Sequence, residues 1–457
     1  MNQAVRRLAA PLSLASGSLR SWVYWSTLVG LFSSVLTLRV AFALRLFDGI
    51  MLVNLALMLL LVNFTHIQRW ILWFIFYLAA SGFIGIVNGT DTAPLFIKEL
   101  LGISISVIYF YFFFKLIGND FEQAFTAYAR IAFWFAVIAL PIWLGNCIYF
   151  HSFVRLQGLT SEPTAFCGLI LPSYYWYTYH YFTNRRHGVG VAVFTLAIIL
   201  SGSSNGFLCV GFGAMLLLSK RMKHLIVFPI AVGGIFGLAY TASPDVQLRV
   251  NDTFLAAATQ DVSGSNLSTY ALMSNLFVAQ QVLKESPVIG NGLGSHSKSH
   301  SRFIRDIPGV ESFIETGTGD LNAPDAASLA IRILSELGIL GFSAVLIFLF
   351  CFYVGGSGPH SAICNAILVS VFLKLLRSGH YFPPDQFFLV FIYILNYRKH
   401  KLEALLDASC VSSMLSPEPL GACLSNQNRP CSTPIYWGST SSEPQYVDGK
   451  MITRTRS

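Results

Sequence analysis

Apolar runs long enough to cross a bilayer recur along almost the whole chain, and no other feature limits its fold so severely. A spanning helix needs about 20 mainly apolar residues. Runs of that kind fall near 20–37, 46–64, 69–87, 98–117, 124–150, 163–182, 188–202, 204–219, 224–242, 326–352, 360–376 and 386–397. In hydrocarbon every backbone N–H and C=O must find a partner inside the protein, which leaves helices or a closed barrel. Runs this long and continuous select helices, so the expected fold is all-α, a polytopic bundle of about 12 transmembrane helices. Composition agrees: 54% of the 457 residues are hydrophobic and 11% charged, a balance foreign to soluble domains.

The formal charge of +8 would suggest nucleic acid for a soluble protein, but here the cations sit mainly in short breaks between apolar runs, where they set topology. Nucleic acid is therefore not expected as a partner. The densest clusters, "NRRHG" (184–188), "SKRMKH" (219–224) and "NYRKHK" (396–401), are expected to face the cytoplasm. Both termini then lie inside, and the loop 151–162, the segment 243–325 and the turn 377–385 lie on the external face. Arg6, Arg7 and Arg20 agree with this orientation, whereas Arg39 and Arg45 do not. The N-terminal stretch lacks the pattern of a cleaved signal peptide, so the first span is expected to direct insertion.

Residues 1–400 are expected to form the membrane domain, with 243–325 as a large late external loop. Within that loop "STYALMSNLFVAQQVLKESP" (268–287) reads as an amphipathic helix suited to the membrane surface, and "VIGNGLGSHSKSHSRFIRD" (288–306) has the Gly and Ser content of a flexible loop. Residues 401–457 turn polar and rich in Ser and Pro, the composition of a disordered cytoplasmic tail. The eight Cys form no CxxC pair and read as small apolar residues or free thiols.

No phosphate-binding GxxxxGK[ST], no HExxH and no Asp-x-Asp pair occurs, so neither a metal nor another cofactor is expected. The chemistry-bearing residues are Arg, His and Glu on the expected external side. Arg155 and Glu162 lie in one loop, where a guanidinium suits phosphate oxygens and a carboxylate can hold or deprotonate a hydroxyl. The alternative for Glu162 is a place at the positive N-terminal end of the helix that Pro163 starts. His296, Lys298, His300, Arg302 and Arg305 fall within ten residues, a basic loop in which one His could serve as a base. Arg332 and Glu336, at i and i+4, form either a self-neutralising pair or place Arg332 toward a central cavity. Arg377 ends a helix, with Lys374 and His380 beside it, where snorkelling to head groups is its ordinary use.

Four stretches together resemble the O-antigen polymerase and ligase family of bacterial inner-membrane glycan-assembly proteins: "RLQGLTSEPTAFCG" (155–168), "LSGSSNGFLCV" (200–210), "SPVIGNGLGS" (286–295) and "LSELGILGF" (334–342). The resemblance implies a multi-pass helical bundle in the bacterial inner membrane, of the kind used by glycosyltransferases with lipid-linked donors. Such a protein moves a glycan from an undecaprenyl diphosphate carrier onto a sugar hydroxyl at the periplasmic face without a metal. It also implies a chain-length regulator and a flippase as partners. On that reading Arg155, Arg302, Arg305, Arg332 and Arg377 bind diphosphate or glycan, and Glu162, His296 or His300 acts on the acceptor hydroxyl. Ala327 and Ser328 stand where many members, ligases especially, carry a His-Asn pair, which favours polymerase over ligase and leaves the base unassigned. The alternatives are ligase-type transfer to another acceptor and transport of lipid-linked oligosaccharide.

Overall fold

The computed structural model describes residues 3–33, 37–39, 43–61, 67–118, 120–218, 237, 240–241, 244–259, 261–415, 446–447 and 450–451. The chain is an all-α membrane-embedded protein. Its first helices are α1 (Gln3–Gly30), α2 (Leu46–Leu61), α3 (Arg69–Val87), α4 (Ala93–Ile117), α5 (Phe121–Phe150), α6 (Pro163–Asn184), α7 (Gly188–Ser201) and α8 (Ser204–Leu218). They are followed by α9 (Pro244–Thr259), α10 (Leu267–Glu285), the short α11 (His296–Phe303) and α12 (Glu311–Glu315), then α13 (Leu329–Cys351), α14 (Pro359–Arg377) and α15 (Pro384–Leu415). Among the described residues five of these, α3, α4, α5, α13 and α14, are long and apolar enough to cross a membrane. Residues 1–402 form one compact unit and 403–457 a second.

The boundaries follow local chemistry. Pro163 and Pro359 open α6 and α14, where a missing N–H costs nothing. Asn266 caps α10 by accepting from the N–H groups of Ser268 and Thr269 at 3.1 Å. The "SGSSNG" stretch turns at Gly202 in the left-handed region (φ 55°), which separates α7 from α8 as expected. The first span ends earlier than expected, at Gly30, and Thr37–Arg39 pairs antiparallel with Ala43–Arg45. The expected span at 224–242 lies almost entirely outside the described residues. The expected tail is helical through Leu415, and most of its remainder is also outside the described residues.

Helix α4 carries the centre of the core. Phe114 stacks on Phe388 and Phe391 of α15 (5.6 and 5.9 Å between centroids), and Tyr128 of α5 lies 5.5 Å from Phe388. The outer surface is equally apolar: Trp73, Phe76, Trp134 and Phe350 are 61 to 80% exposed, a pattern that a lipid solvent satisfies and water does not.

The most consequential feature is a break in α13. Gly338 has φ 64° and ψ −164°, so the helix is interrupted in the middle of an apolar segment and four backbone groups lose helical partners. The loop 287–292 supplies them. The N–H groups of Asn291 and Gly292 donate to the carbonyls of Ser335 and Glu336, and those of Ile339 and Leu340 donate to the carbonyls of Pro287 and Val288, all at 2.9 to 3.0 Å. The two backbones approach so closely that a side chain on Gly290 would overlap Ser335, Glu336 and Gly338. Gly290 is itself in the left-handed region (φ 65°). The same loop passes α3 with Gly292 against Gly85, and Thr90 donates to the Asn291 carbonyl at 2.7 Å.

Gly290→Ala adds a clash to a left-handed backbone, whereas Gly89→Ala (φ 68°, nothing within 4 Å) adds only the backbone strain. Gly89→Ala is expected to cost about 1–2 kcal/mol, and Gly290→Ala a further ~1–3 kcal/mol from overpacking. Thermal unfolding of the two purified variants in the same detergent checks the difference.

Candidate functional site

One end of the bundle gathers the turns after α3, before α6, between α7 and α8, and between α14 and α15, together with the segment 286–306. Beneath the surface of that end lies a buried ion cluster. Arg332, one turn into α13, is 3% exposed. Its Nε donates to Glu336 Oε1 at 3.0 Å, its Nη2 reaches Glu99 Oε1 of α4 at 3.1 Å, and its Nη1 donates to the Gly379 carbonyl at 3.1 Å. The guanidinium also lies 4.4 Å from the Tyr381 ring centroid. Two carboxylates thus share one guanidinium; Glu336 also accepts from Gly294 N–H at 2.9 Å and His296 N–H at 3.4 Å, whereas the buried Glu99 Oε2 makes no hydrogen bond among the described residues. The i,i+4 pair expected between Arg332 and Glu336 is present, but Glu99, from far away in sequence, completes it.

That carboxylate also holds a helix in the segment 288–306. The stretch 288–306 was expected to be a flexible loop unsuited to a helix, yet His296–Phe303 is helical. Glu336 sits at its N-terminus and accepts the first free N–H, the best place for an anion. His296, Ser299, His300 and Phe303 form its buried face. His296 is fully buried, its Nδ1 2.7 Å from Ser335 Oγ and its Nε2 2.8 Å from Asn275 Oδ1. Both ring nitrogens are occupied, so His296 ties α10, α11 and α13 together beneath the surface. His300 is also fully buried, with Nδ1 3.7 Å from Asp320 Oδ1. The two rings share a face at 6.4 Å between centroids, and no group of three metal-binding side chains occurs among the described residues. Burial pushes the His296 pKa well below the usual imidazole value and lowers that of His300.

Helix α10 was expected to lie along a membrane surface. Its apolar stripe is instead covered by protein: Tyr270 stacks on Phe313 at 3.9 Å, and Ala279 packs with Ala326 and Ile331.

The remaining sequence-derived candidates divide by what holds them. Arg155 is half-buried, and its Nε and Nη2 donate to the carbonyls of Ser201 and Gly202 at 3.0 and 2.8 Å. It caps the C-terminal end of α7 and joins the 155–168 stretch to the 200–210 stretch, as do Thr164 with Ser203 and Cys167 with Ser201. Arg302 forms a two-pronged pair with Glu285 at 2.7 and 2.9 Å, and Arg305 is exposed on the following turn. These two stand apart from the buried cluster as a surface feature of the loop. Lys298 donates to the Gly89 carbonyl at 2.6 Å.

Arg377 and Glu162 lie within electrostatic reach of each other. Glu162 is exposed and precedes Pro163 at the start of α6, making no side-chain capping bond. Arg377, at the end of α14, lies within electrostatic reach of Glu162 and Asp325 and donates to Ser268 Oγ at 3.2 Å. Asp325 in turn faces His380, with Oδ2 3.4 Å from Nε2. The imidazole is 52% exposed, so it opens to the surface with a carboxylate behind it. Asp325 and Glu99 escaped the sequence reading, and His380 was noticed only as a neighbour of Arg377. The segment between Asp325 and α13 holds Ala326 and Ala327 in the left-handed region (φ 58° and 57°), a conformation costly for alanine. It is imposed where the chain turns to place Asp325 beside Gly379 and His380.

No protein-family model matches the chain, and no curated protein matches it.

Arg332→Met leaves Glu99 and Glu336 without their cation and is expected to cost about 3–5 kcal/mol. Adding Glu99→Gln recovers part of that loss, measurable by thermal unfolding in detergent. For His296 and His300 the folded pKa lies below the unfolded one, near 6.5, so the unfolded chain binds the extra protons. Their contribution is complete above that pH and is lost as pH falls below it. Melting temperature should therefore drop on acidification, and His296→Gln should flatten part of that slope.

Proposed function

We propose that the protein is a polysaccharide polymerase of the bacterial inner membrane, crossing it about 12 times, with the end that carries Glu162, Asp325, Arg377 and His380 facing the periplasm. Its donor is a glycan repeat on undecaprenyl diphosphate and its acceptor a sugar hydroxyl of a second lipid-linked glycan. The observation that carries the reading is the Asp325–His380 pair, with Arg377 within electrostatic reach of Asp325 and Glu162 at the same bundle end, on segments that are distant in sequence. The four stretches that resemble the O-antigen polymerase and ligase family support it, since they converge on the same end.

In this reading Arg377 compensates the diphosphate, a good leaving group once its charge is met, so that no metal is required. His380, held by Asp325, accepts the proton of the acceptor hydroxyl. The hydroxyl oxygen forms the new bond to the anomeric carbon, the bond from that carbon to the diphosphate breaks, and undecaprenyl diphosphate leaves with the electron pair. Glu162 holds a sugar hydroxyl, and Arg332 with Glu99 and Glu336 forms a fixed floor beneath the site. Arg155 acts through the α7–α8 junction that it caps. Arg302 and Arg305 offer a cationic approach for the glycan. A flippase that supplies the donor and a chain-length regulator that limits the product are the expected partners.

His380→Ala and Asp325→Asn are each expected to lower elongation of lipid-linked repeats by about 10²–10⁴-fold, with Arg377→Ala more damaging than Arg377→Lys. The assay uses purified full-length protein in detergent, where two compartments are absent and transport cannot mimic elongation. Unchanged rates in both His380→Ala and Asp325→Asn would sink the assignment of the base, and absence of elongation by the wild-type protein would favour transport. A ligase would transfer finished polymer to a different acceptor and leave the repeats unjoined.

A further inference from the structure

Between α3, α4, α13, α14 and α15 runs a cavity of about 430 Å³ that the proposed chemistry does not use. Phe74 and Tyr77 of α3 and Val345 and Phe348 of α13 are among the side chains that line it. The neighbouring outer surfaces are lipid-like as well, with Phe76 63% and Phe350 80% exposed, so a hydrocarbon chain can enter from the side. Both Leu329 and Phe352 line it. The lining therefore follows both halves of α13, on either side of its break at Gly338.

Its two mouths differ in charge. At one, Lys374 is neutralised by Asp385 at 2.7 Å. At the other, Arg398 is exposed and approaches Gln68 Oε1 at 3.4 Å, Arg69 is exposed in the neighbouring turn, and Trp70 stands at the rim. Trp at a mouth with two arginines is the arrangement of a membrane interface facing anionic head groups. The cations at this mouth select the guest: a lipid phosphate can meet Arg398 and Arg69 while one of its chains lies in the apolar cavity.

We propose that this cavity seats one acyl chain of an anionic phospholipid, with the lipid phosphate on Arg398 and Arg69. The site lies at the opposite end of the bundle from His380 and does not depend on the reaction assigned above. It makes the packing of α13, and hence the position of Arg332 and Glu336, sensitive to the surrounding lipid.

The test titrates delipidated full-length protein in detergent with dioleoylphosphatidylglycerol or dioleoylphosphatidylcholine, counting bound lipid by native mass spectrometry. The expected result is one tightly held phosphatidylglycerol per chain, with affinity reduced about fivefold for each cation removed in Arg398→Ala and Arg69→Ala. Saturable binding is lost when Ala344→Trp fills the cavity. Equal affinity for the two lipids would overturn the proposal, as would undiminished binding in Arg398→Ala and Arg69→Ala. Should Ala344→Trp fail to fold, the two arginine variants decide alone. Undecaprenyl phosphate is titrated in parallel, and its binding in preference to phosphatidylglycerol, lost in Ala344→Trp, would give the cavity to a polyprenyl chain and also overturn the proposal.

Discussion

A helix interrupted inside an apolar bundle leaves peptide groups that lipid cannot satisfy, and the break at Gly338 is where this protein meets that constraint. The loop 287–292 donates to and accepts from the four freed groups, which fixes it against α13 along a backbone contact too close for side chains at Gly290 and Gly338. Once the loop is fixed there, the Glu336 carboxylate lies at the N-terminus of α11 and holds it by Gly294 and His296. His296 then ties α10 to α13 through Asn275 and Ser335. A substantial part of the large segment between α8 and α13 is organised from this single break.

Electrostatics follows from the same geometry. Arg332 and Glu336 stand on the short half-helix before the break, and Glu99 reaches them from α4. Breaking such a buried arrangement by removing one partner is expensive, while its net contribution to stability is small. Its use here is to fix position: the guanidinium also holds the Gly379 carbonyl, and the next residue is His380. The surface group proposed to act as base is therefore mounted on a buried charge cluster.

The sequence made several of these parts visible without their relations. The stretches 286–295 and 334–342 stood out for their glycines, and the structure gives the reason: they are the two sides of one backbone contact. Likewise 155–168 and 200–210 are joined by Arg155, whose guanidinium was expected to meet phosphate and is found on the carbonyls at the end of α7. The helix at His296–Phe303 could not be read from its Ser and Gly neighbours, because the carboxylate that caps it lies 42 residues from Gly294 along the chain. Asp325 and His380 were equally hidden, being separated by the whole of α13 and α14.

What the sequence by itself determined is the class of solvent and the class of fold. Apolar runs of spanning length leave a helical bundle as the open solution, and proline and capping residues mark where several helices start, because those effects act within a few residues. Tertiary structure alone decided which charged groups meet. Hydrogen bonds and ion pairs act over about 3 Å, whereas their partners here, Glu99 with Arg332, Glu336 with Gly294, and Asp325 with His380, are brought within that reach only when the helices pack.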